Sequence, residues 1–428
     1  MSTEILFRSN LTPALRASDE CPADLVQNWL GEVAEPLDAE IYRYDEDEEV
    51  SWQVMLHPAE EPLTVTLTRD SLEGYASTGN AGPGYHQYIV RALDDAESRW
   101  GLHWHIDDDT DFYLMRDREA LEKIMVEWMV DRNHRVLTAM EDGWRGVLLG
   151  MPDHVRPVKS DFDILTPMGP RHSAWLEYFS NEKLQAYRFA NEFPWWDEGL
   201  DATFWSNYGL TLCYLDVIWE ENKCEEATLA ARQAYDAFER ALELDENADL
   251  PWPEFIWLAN QLGRGDQAER IRAAASYDTQ RPFYGGYRLG LLRQPLDDGW
   301  EIDLPGSWWP AYEDEEPNLR FVHGEQRLFF TAYNHVNNSP VEIEGGLRDA
   351  IRPEQDWVNG DVHGSLRIDT TQRGCMVQAI VATPDSVALA NFWSERASDK
   401  NDMMQAVRSI ARTPFAEDSS EYEAAENE

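Results

Sequence analysis

Lysine is nearly missing from this chain of 428 residues: only Lys123, Lys159, Lys183, Lys223 and Lys400 occur, and every other basic residue is arginine. Basic residues number 36 against 81 acidic ones, a formal net charge of -45. A surface of that sign repels phosphate backbones and anionic lipid, which excludes non-specific binding to nucleic acid or to a membrane surface. Cysteine is sparse as well. Cys21, Cys213, Cys224 and Cys375 stand far apart with no C-x-x-C pair, so neither a disulfide framework nor a zinc knuckle is indicated, and a reducing compartment fits. No apolar run approaches the roughly 18 residues of a membrane span, and residues 1–20 lack a basic stretch followed by an apolar one. The expectation is a soluble, cytoplasmic protein without cofactor.

Aromatic residues, by contrast, are plentiful: 18 Trp, 17 Tyr and 15 Phe supply ample core material. The length predicts two to three domains at about 100–200 residues each. Residues 1–150 read as an α+β domain. Helical spacing of Ala23, Val26, Trp29 and Leu30 marks 21–33; alternation of Leu63, Val65 and Leu67 with threonines marks a half-buried strand at 62–68, paired with another at 50–56. A glycine-rich loop, 79–86, precedes helices at 88–100 and 118–132. Residues 151–172 carry Pro152, Pro157, Pro167 and Pro170 and read as a linker or ordered loop. Residues 173–290 are helical, with the clearest amphipathic stripe at 224–244. Residues 297–412 return to alternating strands and a closing helix at 400–410, and the acidic tail 413–428 reads as disordered.

Two resemblances follow from these patterns. The run Ala237-Phe238-Glu239-Arg240-Ala241-Leu242-Glu243-Leu244-Asp245, followed by Trp257-Leu258-Ala259 and Gly263-Arg264-Gly265-Asp266-Gln267-Ala268, is similar to a tetratricopeptide helical hairpin, present once over about fifty residues. The strand Trp300-Glu301-Ile302-Asp303-Leu304 running into Pro305-Gly306-Ser307-Trp308, the later strands, and the final helix ending in Arg408-Ser409-Ile410 resemble the Mog1/PsbP-like fold over about 297–412. That resemblance implies a binding, adaptor or assembly protein without catalysis, in a class that includes bacterial secretion-effector adaptors and immunity-type proteins.

Several polar constellations invite chemistry. On a strand, His103, His105 and Asp107 share one face, and with Asp109 or Asp111 they compose a possible divalent-metal set. The plain alternative is an acidic turn after a strand. In the loop Gly79, Gly82 and Gly84 allow close approach and position Tyr85 and His86, although the spacing is neither GxGxxG nor a P-loop. Arg171 and His172 end a second Pro-Gly loop, where a fork onto a nearby carboxylate competes with a pocket role. Trp195, Trp196, Trp308 and Trp309 are either binding anchors or packing. No GxSxG elbow occurs.

These observations favour a non-enzymatic interaction protein, an immunity or adaptor protein for a basic toxin or effector, because opposite charge speeds association and selects the partner. A metal-dependent hydrolase centred on His103, His105 and Asp107 is the alternative from another class. A salt-rich habitat is a further explanation of the acidity.

Overall fold

The computed structural model describes residues 3–16, 21–46, 49–141, 147–151, 157–158, 164–181, 184–219, 225–274, 285–311, 318–333 and 339–413. The chain is mixed α+β. Its contacts divide it into two compact units: Met1–Asp153, Ser160–Val217 and Leu229–Gly286 form the first, and His154–Lys159, Ile218–Thr228 and Tyr287–Glu428 the second. Residues 152–156 and 159–163 of the proline-rich stretch 151–172, and all of the tail beyond Thr413, lie outside the described residues.

In the first unit, β1 (Glu4–Asn10) and the short α1 (Pro13–Arg16) precede α2 (Pro22–Ala34). Then come β2 (Ile41–Asp45), β3 (Glu49–Val54), β4 (Leu63–Thr68), β5 (Ser71–Ser77), α3 (Pro83–Trp100) and β6 (His105–Asp108). The strands form one antiparallel sheet of order β2-β3-β4-β5-β1-β6. Period-two alternation explains it: Trp52, Val54, Leu63, Val65, Leu72, Ala76, Ile5 and Phe7 are all buried on one side. Against that side lie α2, whose Gln27 accepts a hydrogen bond from the Trp52 indole, and α3, whose Tyr88 hydroxyl donates to the Val33 carbonyl at 2.6 Å. The strands at 49–54 and 63–68 pair, matching the sequence reading. Pro83 at the start of α3 sets the helix going five residues ahead of the expected 88, so Tyr85 and His86 are helical, not loop, residues.

The short α4 (Phe112–Met115) and the long α5 (Arg118–Glu141) follow. A small three-stranded sheet of β7 (Val147–Leu148), β8 (Ile164–Thr166) and β9 (Gly169–Arg171) leads to α6 (Ser173–Phe179) and α7 (Ala202–Leu215). Next stand α8 (Glu225–Leu244), α9 (Trp252–Gln261) and α10 (Gly265–Ala274), with Tyr235 and Phe238 of α8 stacked on Phe255 of α9 at 5.1 and 5.4 Å. Of residues 173–290, read from the sequence as a helical domain, 173–217 and 229–286 fall in the same unit as the N-terminal sheet, and within that unit Trp195 bonds to the start of α3.

The second unit comprises β10 (Leu291–Pro295), β11 (Trp300–Pro305), β12 (Trp309–Pro310), β13 (Leu319–His323), β14 (Gln326–Tyr333), α11 (Pro340–Ile351), β15 (Gln355–Asn359), β16 (Val362–Thr371), β17 (Gly374–Ala382), β18 (Val387–Ser394), α12 (Lys400–Ser409) and β19 (Ala411–Arg412). Seven strands run β12-β13-β14-β18-β17-β16-β15, all antiparallel. Val377, Ala379 and Val381 face one core together with Met403, Ala406 and Val407 of α12; Ile380 and Ala382 face the other with Ile343, Leu347 and Ile351 of α11. Burial on both faces explains why 379–382, Ala-Ile-Val-Ala, is an unbroken apolar run instead of an alternating one. A serine N-cap with a reciprocal Glu342 bond starts α11.

Trp300 is fully buried at the centre of the α12-side core and donates its indole N–H to Ser386 at 3.2 Å. Trp300→Ala is expected to lower unfolding free energy by about 3–5 kcal/mol in a denaturant titration. A loss under about 1 kcal/mol would show that this core does not hold the unit together.

Candidate functional site

Each polar constellation singled out in the sequence has a definite place. His103, His105, Asp107 and Asp109 do lie on one exposed side of the β6 segment, as period two requires. Among the described residues, however, no three His, Cys, Asp or Glu side chains gather to hold a metal ion. The carboxylate that turns inward is Asp108. It meets His86 at 3.4 Å, and Thr110 links both: its hydroxyl lies 3.1 Å from His86 Nε2 and donates to Asp108 Oδ1 at 2.7 Å. On the ring's other side His86 Nδ1 lies 3.0 Å from Thr78 Oγ1.

Threonine, histidine and aspartate in a row have the composition of a nucleophile relay, but the geometry denies that role. The Thr78 hydroxyl donates its proton to the Thr3 carbonyl, away from the histidine, and both Thr78 and His86 are fully buried. Burial alone would raise the Asp108 carboxyl. The His86 hydrogen bond and charge, the Tyr113 N–H and the Thr110 hydroxyl outweigh it and hold the group well below the usual carboxylate range. The cluster ties β5, α3 and β6 together.

A second cluster forms where 193–197 meets the start of α3. Gly82 has φ of +110° and stands against the Phe193 ring, and Gly84 N–H donates to the Trp195 carbonyl at 3.0 Å while Trp195 N–H donates to the Ala81 carbonyl at 2.9 Å. An added Cβ at Gly84 would overlap the Trp195 ring and the Asp197 carbonyl. Trp195 and Tyr85 are therefore core residues, both fully buried, with ring centroids 5.6 Å apart. Of the two readings open for Trp195, binding anchor or packing, its burial favours packing, and Tyr85 and His86, binding candidates beside it, are fully buried as well. His57, which the sequence reading passed over, sits among Tyr85, Trp195, Phe204 and Tyr208 at 5.4–6.4 Å, and burial lowers its pKa to about 3. Trp196 is half-buried against Phe193 at 5.8 Å.

Beside them Glu60 accepts the Ala81 N–H at 2.6 Å. Burial pushes its carboxyl up to about 7 against the smaller, opposing effects of the Ala81, Ser77 and Asn80 hydrogen bonds and the Arg132 charge. Arg132 donates to Asn80 Oδ1 at 2.8 Å and lies over the Trp128 ring. Burial draws its pKa down to about 10. Arg171 forks as the acid excess implies: it donates to the Met168 carbonyl at 3.2 Å, approaches Glu192 at 3.6 Å, and covers Trp175. His172 is exposed just ahead of α6.

What the first unit leaves open is the other side of its six-stranded sheet. The registers align Tyr42, Gln53, Thr64, Tyr75, Leu6 and Asp107 in one outward row, and Tyr44, Ser51, Thr66, Glu73, Arg8 and His105 in the next. Leu6 is 49% exposed, Tyr42 40% and Tyr44 50%. Glu4, Glu49, Glu73 and Asp107 occupy the same side, with Asp109 at its edge, and Arg8 is bonded to Glu73 at 3.2 Å. The face thus combines tyrosines, threonines and an excess of carboxylates.

In the second unit Trp308 packs on Phe392 at 5.6 Å and His323 at 5.9 Å beside a cavity of about 330 Å³. Trp309 is half-buried and lies against Arg288, whose guanidinium sits 5.0 Å from the ring centre. No described helix is long and apolar enough to cross a membrane.

Glu60 gives a direct check on the buried cluster. Its carboxyl titrates near 4.5 when unfolded and about 7 when folded, so the folded state binds the proton more tightly and stability is lost as pH rises between those values. Glu60→Gln is expected to gain on the parent chain from pH 4.5 to pH 8, by on the order of 3 kcal/mol in melts across that range. A pH-independent difference would contradict the assignment.

Comparison with known proteins adds little. No protein-family model matches the chain, and no curated protein matches it. Among solved structures it is similar to cyanobacterial PsbP (CyanoP) from Synechocystis sp. PCC 6803, at 11% identity and a TM-score of 0.20, over 29% of this chain and 92% of that one.

Proposed function

We propose that the protein is a non-enzymatic interaction protein of the cytoplasm that captures a basic protein through the outward face of its N-terminal sheet. The observation that carries this reading is the row Tyr42-Gln53-Thr64-Tyr75-Leu6-Asp107 with its flanking carboxylates. Tyrosines supply rigid contact area, threonines and Gln53 supply hydrogen bonds, and Glu4, Glu49, Asp107 and Asp109 supply a field of one sign. Such a surface accelerates encounter with a cationic partner and loses that advantage as salt rises. The free thiols of Cys21 and Cys375 fit a reducing compartment.

A role as immunity or adaptor protein for a basic toxin or effector follows from the same charge argument. The Mog1/PsbP-like plan proposed for 297–412 rests on element order: a strand into Leu304-Pro305-Gly306-Ser307-Trp308, antiparallel strands after it, and a closing helix. The single tetratricopeptide-like hairpin at 237–268 is proposed on its sequence pattern alone.

The test is retention of native-lysate proteins on the tagged chain at about 0.05 and 0.5 M NaCl, beside an Asp107→Lys/Tyr44→Ser variant. One basic protein is expected in stoichiometric amount at low salt on the parent chain, reduced at least tenfold by the variant and by high salt. Equal retention on the variant, or retention indifferent to salt, would contradict the reading.

A further inference from the structure

The cavity in the second unit is built from β11, the turn after it, β13, β14, β18 and α12. Its inner wall is Trp308, Phe392, Met403 and Ala406, all buried. Trp308 is set there by the turn: its N–H donates to the Pro305 carbonyl at 3.0 Å, and Gly306 N–H donates to the Gly290 carbonyl at 2.8 Å. A side chain at Gly306 would strike the Arg288 backbone, so the turn needs glycine at that point. The polar lining carries two carboxylates, Asp303 and Asp402, and no lysine or arginine. Asp303 is bonded to Arg293 across the β10–β11 pair, whereas Asp402, exposed in the first turn of α12, has no ion pair among the described residues.

The geometry points to a binding site for an alkyl cation, an alkylguanidinium or alkylammonium group. Its stem would lie along Trp308, Phe392 and Met403 and its head would reach Asp402. Three observations choose this class. The volume of about 330 Å³ sits at the low end of the ~300–1,000 Å³ range of small-molecule sites. The inner wall of Trp308, Phe392, Met403 and Ala406 gives a hydrated metal ion no ligands, and the polar lining of Ser307, His323, Gln326, Gln405, Ser409 and two carboxylates holds no lysine or arginine to draw an anion. Trp308 and the exposed Asp402 carboxylate line the same cavity, and an indole with a carboxylate is the pairing that attracts a weakly hydrated organic cation. The cation can arrive free, as a small amine, or on an arginine or lysine of a partner; in the second case the inference rests on the function proposed above.

Calorimetric titration with n-butylguanidinium, with neutral n-butylurea, and with acetyl-Gly-Arg-Gly-amide separates the possibilities. Butylguanidinium is expected to bind at least tenfold more tightly than butylurea. Asp402→Asn, at an exposed position, should weaken it at least threefold with the melting temperature kept, and Ala406→Leu, which fills the cavity, should abolish it. No binding of butylguanidinium at millimolar concentration, equal affinity for the two small probes, or no effect of Asp402→Asn would overturn the inference, whatever the folding of Ala406→Leu. Peptide binding comparable to butylguanidinium assigns the cation to a protein side chain; binding of the small probe alone assigns it to a free amine. Binding that survives while no basic protein is retained on the sheet face upholds the cavity and rejects the interaction reading.

Discussion

Self-repulsion is the constraint that the rest of the molecule answers to. A chain with 81 acids against 36 bases must gain enough from burial to offset a field that favours expansion. Two devices recur. Arginines are spread singly among carboxylates: Arg99 between Glu32 and Asp95, Arg118 between Glu122 and Asp197, Arg348 between Glu344 and Asp356, Arg412 between Asp298 and Asp385. Each exposed pair contributes at most about 1 kcal/mol, but each also removes one carboxylate from the repulsion. Arginine suits the task better than lysine because its fork engages two acids at once. The second device is the burial of large aromatics, with Trp29, Trp52, Trp195 and Trp300 all withdrawn from solvent.

That economy sorts the polar residues. Those drawn inward are there to be satisfied: His86 with Thr78, Thr110 and Asp108, Glu60 with the 79–81 loop, Arg132 with Asn80. A neutral His57 and a carboxyl at Glu60 that charges only near neutral pH are the consequences of that burial. Those left outside keep their charge toward solvent even where they are bonded: Glu73 pairs with Arg8 and Asp109 accepts the Glu4 N–H, while Glu49, Asp107 and Asp402 lie exposed.

Much of the scaffold is legible in the sequence because period and pairing coincide. Leu63, Val65 and Leu67 alternate with threonines and become β4; Met403 and Val407 become the inner side of the closing helix, and Ile410, just past its end, joins the same core. The alternation of His103, His105 and Asp107 is also real, but alternation places residues on a face without saying what the face meets. Period two exposed the three and buried Asp108 on His86, a contact between residues 22 apart that no local pattern announces. The glycines before Tyr85 and His86 mark a close approach, and the approaching partner, which no local pattern names, is Phe193 and Trp195 of the same chain. The strand at 4–10 and the cavity beside Trp308 depend on distant pairing and lay beyond sequence reading.

In the proposed capture of a basic protein, the exposed carboxylates and not the buried polar clusters meet the partner. Carbodiimide labelling of carboxyl groups, mapped by mass spectrometry with and without the captured basic protein, tests it most directly. Protection should concentrate on Glu4, Asp107 and Asp109. Unchanged labelling there, with protection elsewhere on the chain, would contradict it.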